Sequence, residues 1–236
     1  MRLDKFFSNT ATLSRSECAK ACRAGLITVD GAVIKDPSFA LDPEISAVTY
    51  KGERIVYKKF VYIMLNKPEG YVCSNDEPGG SIVFELIDQR LLKLGLFVCG
   101  RLDKDTTGLV IITNDGASAH NALSPKHHVS KEYEFALADP ADVKDLETLR
   151  GGTTLSDGTA TLPCEIEMKS EKEGIIILRE GKYHQIKRMF ASVGNKIVRL
   201  KRIKFGGIPL DPSLAPGQWR CLTPEEEKIF VSNNIF

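Results

Sequence analysis

The chain has 236 residues, 42% of them hydrophobic and 27% charged, with a formal net charge of +1. That balance excludes a mainly disordered chain, and the length suits one domain of ordinary size with a small one beside it. No run of about 18 apolar residues occurs and the opening MRLDKFFSNT is charged where a secretory leader is apolar, so neither export nor a membrane span is expected, and the cytoplasm is the expected location.

Residues 1–58 read as helix, helix, hairpin. Ser14-Arg15-Ser16-Glu17 has the spacing of a capping box, and Gly25 stands where a left-handed residue would end the short helix. Residues 26–29 and 32–34 form apolar runs around Asp30-Gly31, a dipeptide that supplies the positive φ angles of a tight hairpin turn. A further strand is expected around 47–50, before the turn at Lys51-Gly52. Lys58 and Lys59 then link to an apolar strand at 61–65. From there to residue 236, strand candidates at 96–99, 109–113, 132–137, 174–179 and 197–203 alternate irregularly with helical signals. A largely antiparallel mixed sheet in an α+β domain is expected over a doubly wound one. A helix is expected over 184–193, because Ile186, Met189, Phe190 and Val193 recur at helical spacing and Gly194 follows.

The six cysteines are scattered without a C-x-x-C pair, which fits reduced thiols. Cys18 and Cys22 stand four apart on the expected helix, but no second ligand pair follows at zinc spacing, so no metal is expected.

Two polar stretches carry the candidate chemistry. The run from Cys99 to Leu109, CGRLDKDTTGL, is a polar loop between apolar strands with a glycine near each end, where active sites commonly sit. Read alone, Asp103, Asp105, Thr106 and Thr107 serve equally well as turn caps. From Lys182 to Lys204 eight cations, Lys182, Lys187, Arg188, Lys196, Arg199, Lys201, Arg202 and Lys204, follow one another with no acidic residue between them. Such a tract is the footprint of a polyanion-binding face or, in the plainer reading, a solvated helix and strand.

Residues 1 to about 55 resemble the S4 RNA-binding domain through Arg2-Leu3-Asp4, Ser14-Arg15, Gly25 and Val29-Asp30-Gly31. The rest resembles the RsuA-type branch of the pseudouridine synthases through four motifs in the family's order. These are Asn66-Lys67-Pro68-Glu69-Gly70-Tyr71, the segment Gly100 to Leu109, Lys131-Glu132-Tyr133, and the segment Glu180 to Met189. The resemblance implies an S4-like domain over 1–58 and a pseudouridine synthase domain over 61–236, acting without a cofactor. It makes Asp103 the catalytic carboxylate, Tyr133 the aromatic residue that packs on the extruded uracil, and Lys187 the cation that pairs with Asp103, with Arg188 in reserve. Ile186 and Leu200 are expected as apolar walls, and Arg101 as the residue that fills the space left by the flipped base or binds phosphate. Arg2, Lys5, Arg15 and Arg23, with free N–H groups at the start of the Ser14 helix, are expected to bind RNA, as are Lys196, Arg199, Lys201 and Arg202. Tyr71-Val72-Cys73-Ser74, residues 124–128 and Tyr183-His184-Gln185 look more like the small-subunit enzymes. That points to one uridine of 16S ribosomal RNA, the uridine-516-type site, presented in a small-subunit assembly intermediate to a monomer. The alternatives are an enzyme of the same branch acting on 23S ribosomal RNA, a non-catalytic assembly factor, and a glycosidase-like use of Asp103 with Asp105. The last lacks any reason for two carboxylates so close in one loop to flank a substrate.

Overall fold

The computed structural model describes residues 1–74 and 80–232; residues 233–236, at the end of the second expected domain, lie outside them. The chain separates into two compact units, residues 1–61 with 87–96, and residues 62–86 with 97–236. Among the described residues no helix is long and apolar enough to cross a membrane.

In the first unit, helices α1 (Leu3–Asn9) and α2 (Arg15–Arg23) precede strands β1 (Ile27–Val29), β2 (Ala32–Val33), β3 (Val48–Tyr50) and β4 (Glu53–Ile55). A single helical turn, α3 (Gln89–Leu92), lies in its second segment. Leu3, Phe6 and Phe7 fall at i, i+3 and i+4, so α1 turns one apolar face inward, where they pack with Cys18, Cys22, Ile27 and Val48. The two cysteines that stand four apart are therefore core side chains, and burial pushes the Cys18 thiol up to about 12. The strands form an antiparallel sheet in the order β2-β1-β3-β4. Asp30 (φ 50°) and Gly31 (φ 83°) make the hairpin turn expected of that dipeptide.

The second unit is built on a nine-stranded sheet. Its strands are β5 (Tyr62–Lys67), β6 (Phe97–Cys99), β7 (Thr107–Thr113), β8 (Lys131–Leu137), β9 (Glu165–Met168), β10 (Glu173–Leu178), β11 (Ile197–Phe205), β12 (Ile208–Pro209) and β13 (Trp219–Cys221). The main order is β13-β5-β7-β11-β8-β10-β9, with β12 on β11 and β6 on β7. Every pairing is antiparallel except β7 with β11, so the sheet is mixed and largely antiparallel, as expected. Among the described residues four α-helices accompany it: α4 (Gly116–Leu123), α5 (Val143–Gly151), α6 (Gln185–Ser192) and α7 (Pro224–Ser232). Helix α6 lies where the periodicity places it. Its Ile186, Met189 and Phe190 are buried with Phe135, Leu149, Ile176 and Leu200, each such side chain contributing about 1.5–3 kcal/mol.

One strand arrangement creates the loop that matters. Strand β5 pairs with β7 along Gly108 to Thr113, which leaves the other edge of β7 to two strands. Strand β6 takes Ile111 to Thr113 and β11 takes Thr107 and Gly108. The chain leaving Cys99 must swing outward past the incoming β11 before it can start β7, and residues 100–106 are that excursion.

Gly108 is what lets β7 and β11 approach. Its φ is +99°, and a Cβ there would lie 2.2 Å from the backbone oxygen of Arg202. Gly108→Ala is expected to cost about 3 kcal/mol or more, because it combines backbone strain with a clash against rigid main chain. Equilibrium unfolding of the variant checks this; a loss below about 1 kcal/mol would mean that the two strands part easily.

Candidate active site

Asp103 stands at the tip of the 100–106 excursion, and buried cations hold that loop from both sides. Lys67, at the end of β5, is fully buried and spends its three donors on carbonyls: Pro68 O at 3.1 Å, Lys104 O at 3.1 Å and Thr106 O at 2.7 Å. Burial pushes its ammonium down, against the opposing pull of Cys73 and the loop carboxylates Asp105 and Asp103. On the other side Arg202 of β11 donates from Nε to Leu109 O and from Nη2 to Gly100 O, both at 2.7 Å, and its guanidinium lies 5.3 Å from the Phe205 ring centroid. The Thr106 amide donates to Asp103 O at 3.1 Å and closes the turn at the tip.

The Asp103 carboxylate meets α6 and the turn before it. Lys187 Nζ donates to Asp103 Oδ2 at 3.1 Å and to Asp105 Oδ1 at 2.5 Å, and His184 Nε2 lies 3.4 Å from Asp103 Oδ1. Burial works to lower the Lys187 ammonium, but the bonds to Asp105 and Asp103 outweigh it and hold the group above its ordinary value. The hydrogen bond from Lys187 holds the Asp105 carboxyl below its usual range. Asp103 and Lys187 line a cleft together with Arg101, Tyr133, Leu178, Ile186 and Leu200. The cleft thus has an anion held by a cation, the Tyr133 ring, the His184 imidazole and apolar walls. Such a site can take a flat, uncharged base and place an anionic oxygen beside the atom to be attacked.

The expected site residues Asp103, Tyr133, Lys187, Arg101, Ile186 and Leu200 therefore come together. Several others do not. Arg188 pairs with Asp157 at 2.6 Å, away from Asp103, for which it was the reserve partner. Arg202 is only 2% exposed and is committed to two carbonyls, so it is withdrawn from the expected RNA-binding set. The basic tract is also less bare than its sequence. Lys182 pairs with Glu180, Lys187 with two aspartates, Arg199 with Glu173 and Lys204 with Glu132, all acids that the fold brings in from outside the tract. Lys196, Lys201 and Arg202 are the tract's three cations that form no ion pair among the described residues, and of these Arg202 is buried on carbonyls.

In the first unit Arg2, Lys5, Arg15 and Arg23 are exposed, although Arg2 is engaged by Asp4 at 2.9 Å. Arg15 and Arg23 sit at opposite ends of α2, about 12 Å apart along its axis. The expected phosphate site at the start of α2 is already served. Ser14 Oγ accepts from the Glu17 amide at 3.3 Å, and the Glu17 carboxylate accepts from the Ser14 amide at 2.7 Å, which puts a negative charge where the phosphate was expected.

Sequence reasoning gave no role to Lys67 or to the buried side of Arg202. Both carried a signal. Lys67 is the one charge closing the apolar run of β5, and Arg202 lies two residues beyond Leu200 on the inward face of β11. Nothing in the chain order brings His184 to Asp103.

Comparison with known proteins matches residues 61–192 to the RNA pseudouridylate synthase family and residues 1–44 to the S4 domain. The chain is 42% identical over 227 residues to a ribosomal small subunit pseudouridine synthase A of Vibrio cholerae, covering 96% of this chain and 97% of that protein. It is 41% identical over 228 residues to the protein of the same name from Escherichia coli, with 96% and 98% covered. An uncharacterized RNA pseudouridine synthase of Bacillus subtilis is 40% identical over 230 residues, with 96% of each chain covered. Among solved structures, a crystal structure of a pseudouridylate synthase is similar with a TM-score of 0.70 at 38% identity, covering 98% of this chain and 100% of the other.

Proposed function

The chain belongs to the RNA pseudouridylate synthase family, isomerases of uridine in RNA, and from that premise we propose that its substrate is one uridine of 16S ribosomal RNA, the uridine-516-type site. The observation that carries the catalytic part of the reading is the Asp103 carboxylate held by Lys187 in a cleft with the Tyr133 ring and apolar walls. Small-subunit specificity draws on the full-length similarity to relatives named ribosomal small subunit pseudouridine synthase A.

In the reaction the bond between uracil N1 and ribose C1′ breaks, the base turns while still held, and C5 bonds to C1′. The C5 proton leaves and N1 gains one, so nothing is hydrolysed and no cofactor enters the balance. Asp103 supplies the anionic oxygen, by attack at C1′ or by assisting departure of the base. Lys187 offsets its charge in the closed site. Tyr133 offers its ring to the extruded uracil, compensating for lost stacking, with Ile186 and Leu200 as walls and Arg101 filling the space left by the flipped base or binding phosphate. The S4 domain, within residues 1–58, recognises RNA with Arg2, Lys5, Arg15 and Arg23, assisted by Lys196, Arg199 and Lys201 of the catalytic domain at 61–236. The protein acts in the cytoplasm as a monomer on a small-subunit assembly intermediate.

The test is to incubate the full chain with 16S and 23S ribosomal RNA, free and in precursor particles, and to map new pseudouridines. One new site, in 16S RNA and at higher yield in the particle, is the expected result. A site in 23S RNA alone would move the substrate to the large subunit, and RNA binding without any new pseudouridine would make the chain an assembly factor.

A further inference from the structure

We infer that Tyr183, on the turn that leads into α6, is a stacking platform for a nucleotide flanking the target uridine. The inference rests on the reading of the chain as an enzyme acting on structured RNA. Tyr183 is 72% exposed, one of the largest apolar surfaces that the protein leaves in solvent. Its ring is stacked on that of His184, with centroids 3.9 Å apart and planes 18° from parallel. His184 lines the cleft and lies 3.4 Å from Asp103 Oδ1, so the two rings form a short stack that starts at the catalytic carboxylate and ends in an exposed ring.

The turn that carries the stack is closed by hydrogen bonds. Tyr183 and His184 are the middle residues of a turn closed by the Gln185 amide donating to Lys182 O at 3.2 Å. The Lys182 amide donates in turn to Gln185 Oε1 at 3.0 Å, and Gln185 Nε2 donates to Glu180 at 2.6 Å. His184 takes left-handed backbone angles, φ 46° and ψ 36°, an unusual state for a residue with a side chain that the surrounding bonds must sustain. Arg188 donates to the Tyr183 carbonyl at 3.3 Å and is itself anchored on Asp157. An aromatic face presented on a clamped turn loses little conformational freedom when a base stacks on it.

The chemistry of the reaction supplies the occupant. Extruding the uridine leaves its neighbours with one face unstacked, and a flat aromatic side chain beside the site offers that face a partner irrespective of base identity. A ring that merely covered His184 would be replaceable by any bulky apolar side chain; a stacking platform would not.

The experiment uses the full chain and an RNA stem-loop spanning the uridine that mapping identifies, with binding measured on Asp103→Asn so that the RNA stays unreacted. Tyr183→Ala should weaken binding about tenfold and raise KM about as much, with kcat at saturating RNA within about twofold. Tyr183→Trp should bind like the parent and Tyr183→Leu like the Ala variant. An abasic residue placed at each neighbour of the uridine in turn should weaken binding to the parent at one position and have no further effect on Tyr183→Ala, which is the coupling that a direct stack requires. Equal affinity of the Ala variant, Leu performing as well as Trp, or additive losses at both neighbours would each overturn the platform. If the parent neither binds nor modifies any ribosomal RNA, the functional reading fails and the platform with it.

Discussion

Replacing Asp103 with Asn is expected to abolish isomerisation, lowering the single-turnover rate about a thousandfold or more while RNA binding is retained. The change keeps the shape of the side chain and replaces one carboxylate oxygen by an uncharged amide nitrogen, while the 100–106 loop stays held by Lys67 and Arg202. Asp105→Asn is the control within the same loop. The Asp105 side chain is 61% exposed and stands outside the cleft lining, so its loss should loosen the grip of Lys187 and cost far less. Tritium release from RNA labelled at uridine C5 reads both rates. Turnover by Asp103→Asn at more than a few per cent of the parent rate would remove Asp103 from the chemistry.

The second large effect is expected at Lys187. Its ammonium bridges Asp103 and Asp105, and Lys187→Met would leave the two loop carboxylates without the cation that joins them. Removing one partner of a fully buried pair costs about 3–5 kcal/mol. Here Lys187 and Asp103 are 23% and 27% exposed, so solvent screens part of that cost and a fall in kcat of roughly a hundredfold is expected. Lys187→Arg, which keeps the charge and can still bridge, should retain clearly more activity than Met. If Met and Arg were equally active, the ion pair would be structural, and unfolding curves in place of rates would have to carry its effect.

Much of the scaffold was legible because local chemistry and tertiary context agree. The capping box at Ser14, the Asp30-Gly31 turn and the apolar spacing of α6 each state a local structure that the fold has no reason to override. Helices α4 and α5 were not anticipated. Residues 116–123 read GASAHNAL, small side chains without an apolar stripe, and the helix begins because Asp115 accepts from the Ser118 amide. Helix α5 buries only Leu146 and Leu149, too few for a periodic signal.

The site divides in the same way. Asp103 and Lys187 lie 84 residues apart, and only the resemblance to a family joined them; the physical join is β11 arriving on the edge of β7. The basic tract misled because its compensating acids, Glu132, Asp157 and Glu173 among them, come from distant segments that only folding brings alongside. Arg202 misled for a related reason. A charged residue on an inward strand face is solvated by carbonyls of a neighbouring loop, a partner that no local pattern announces.

The most direct test of an Asp103-driven isomerisation is a product analysis on 16S ribosomal RNA labelled with tritium at uridine C5. The account predicts that the parent releases one tritium for every pseudouridine formed, yields no free uracil, and stops doing both when Asp103 is Asn. Free uracil without pseudouridine, or undiminished tritium release from Asp103→Asn, would contradict it.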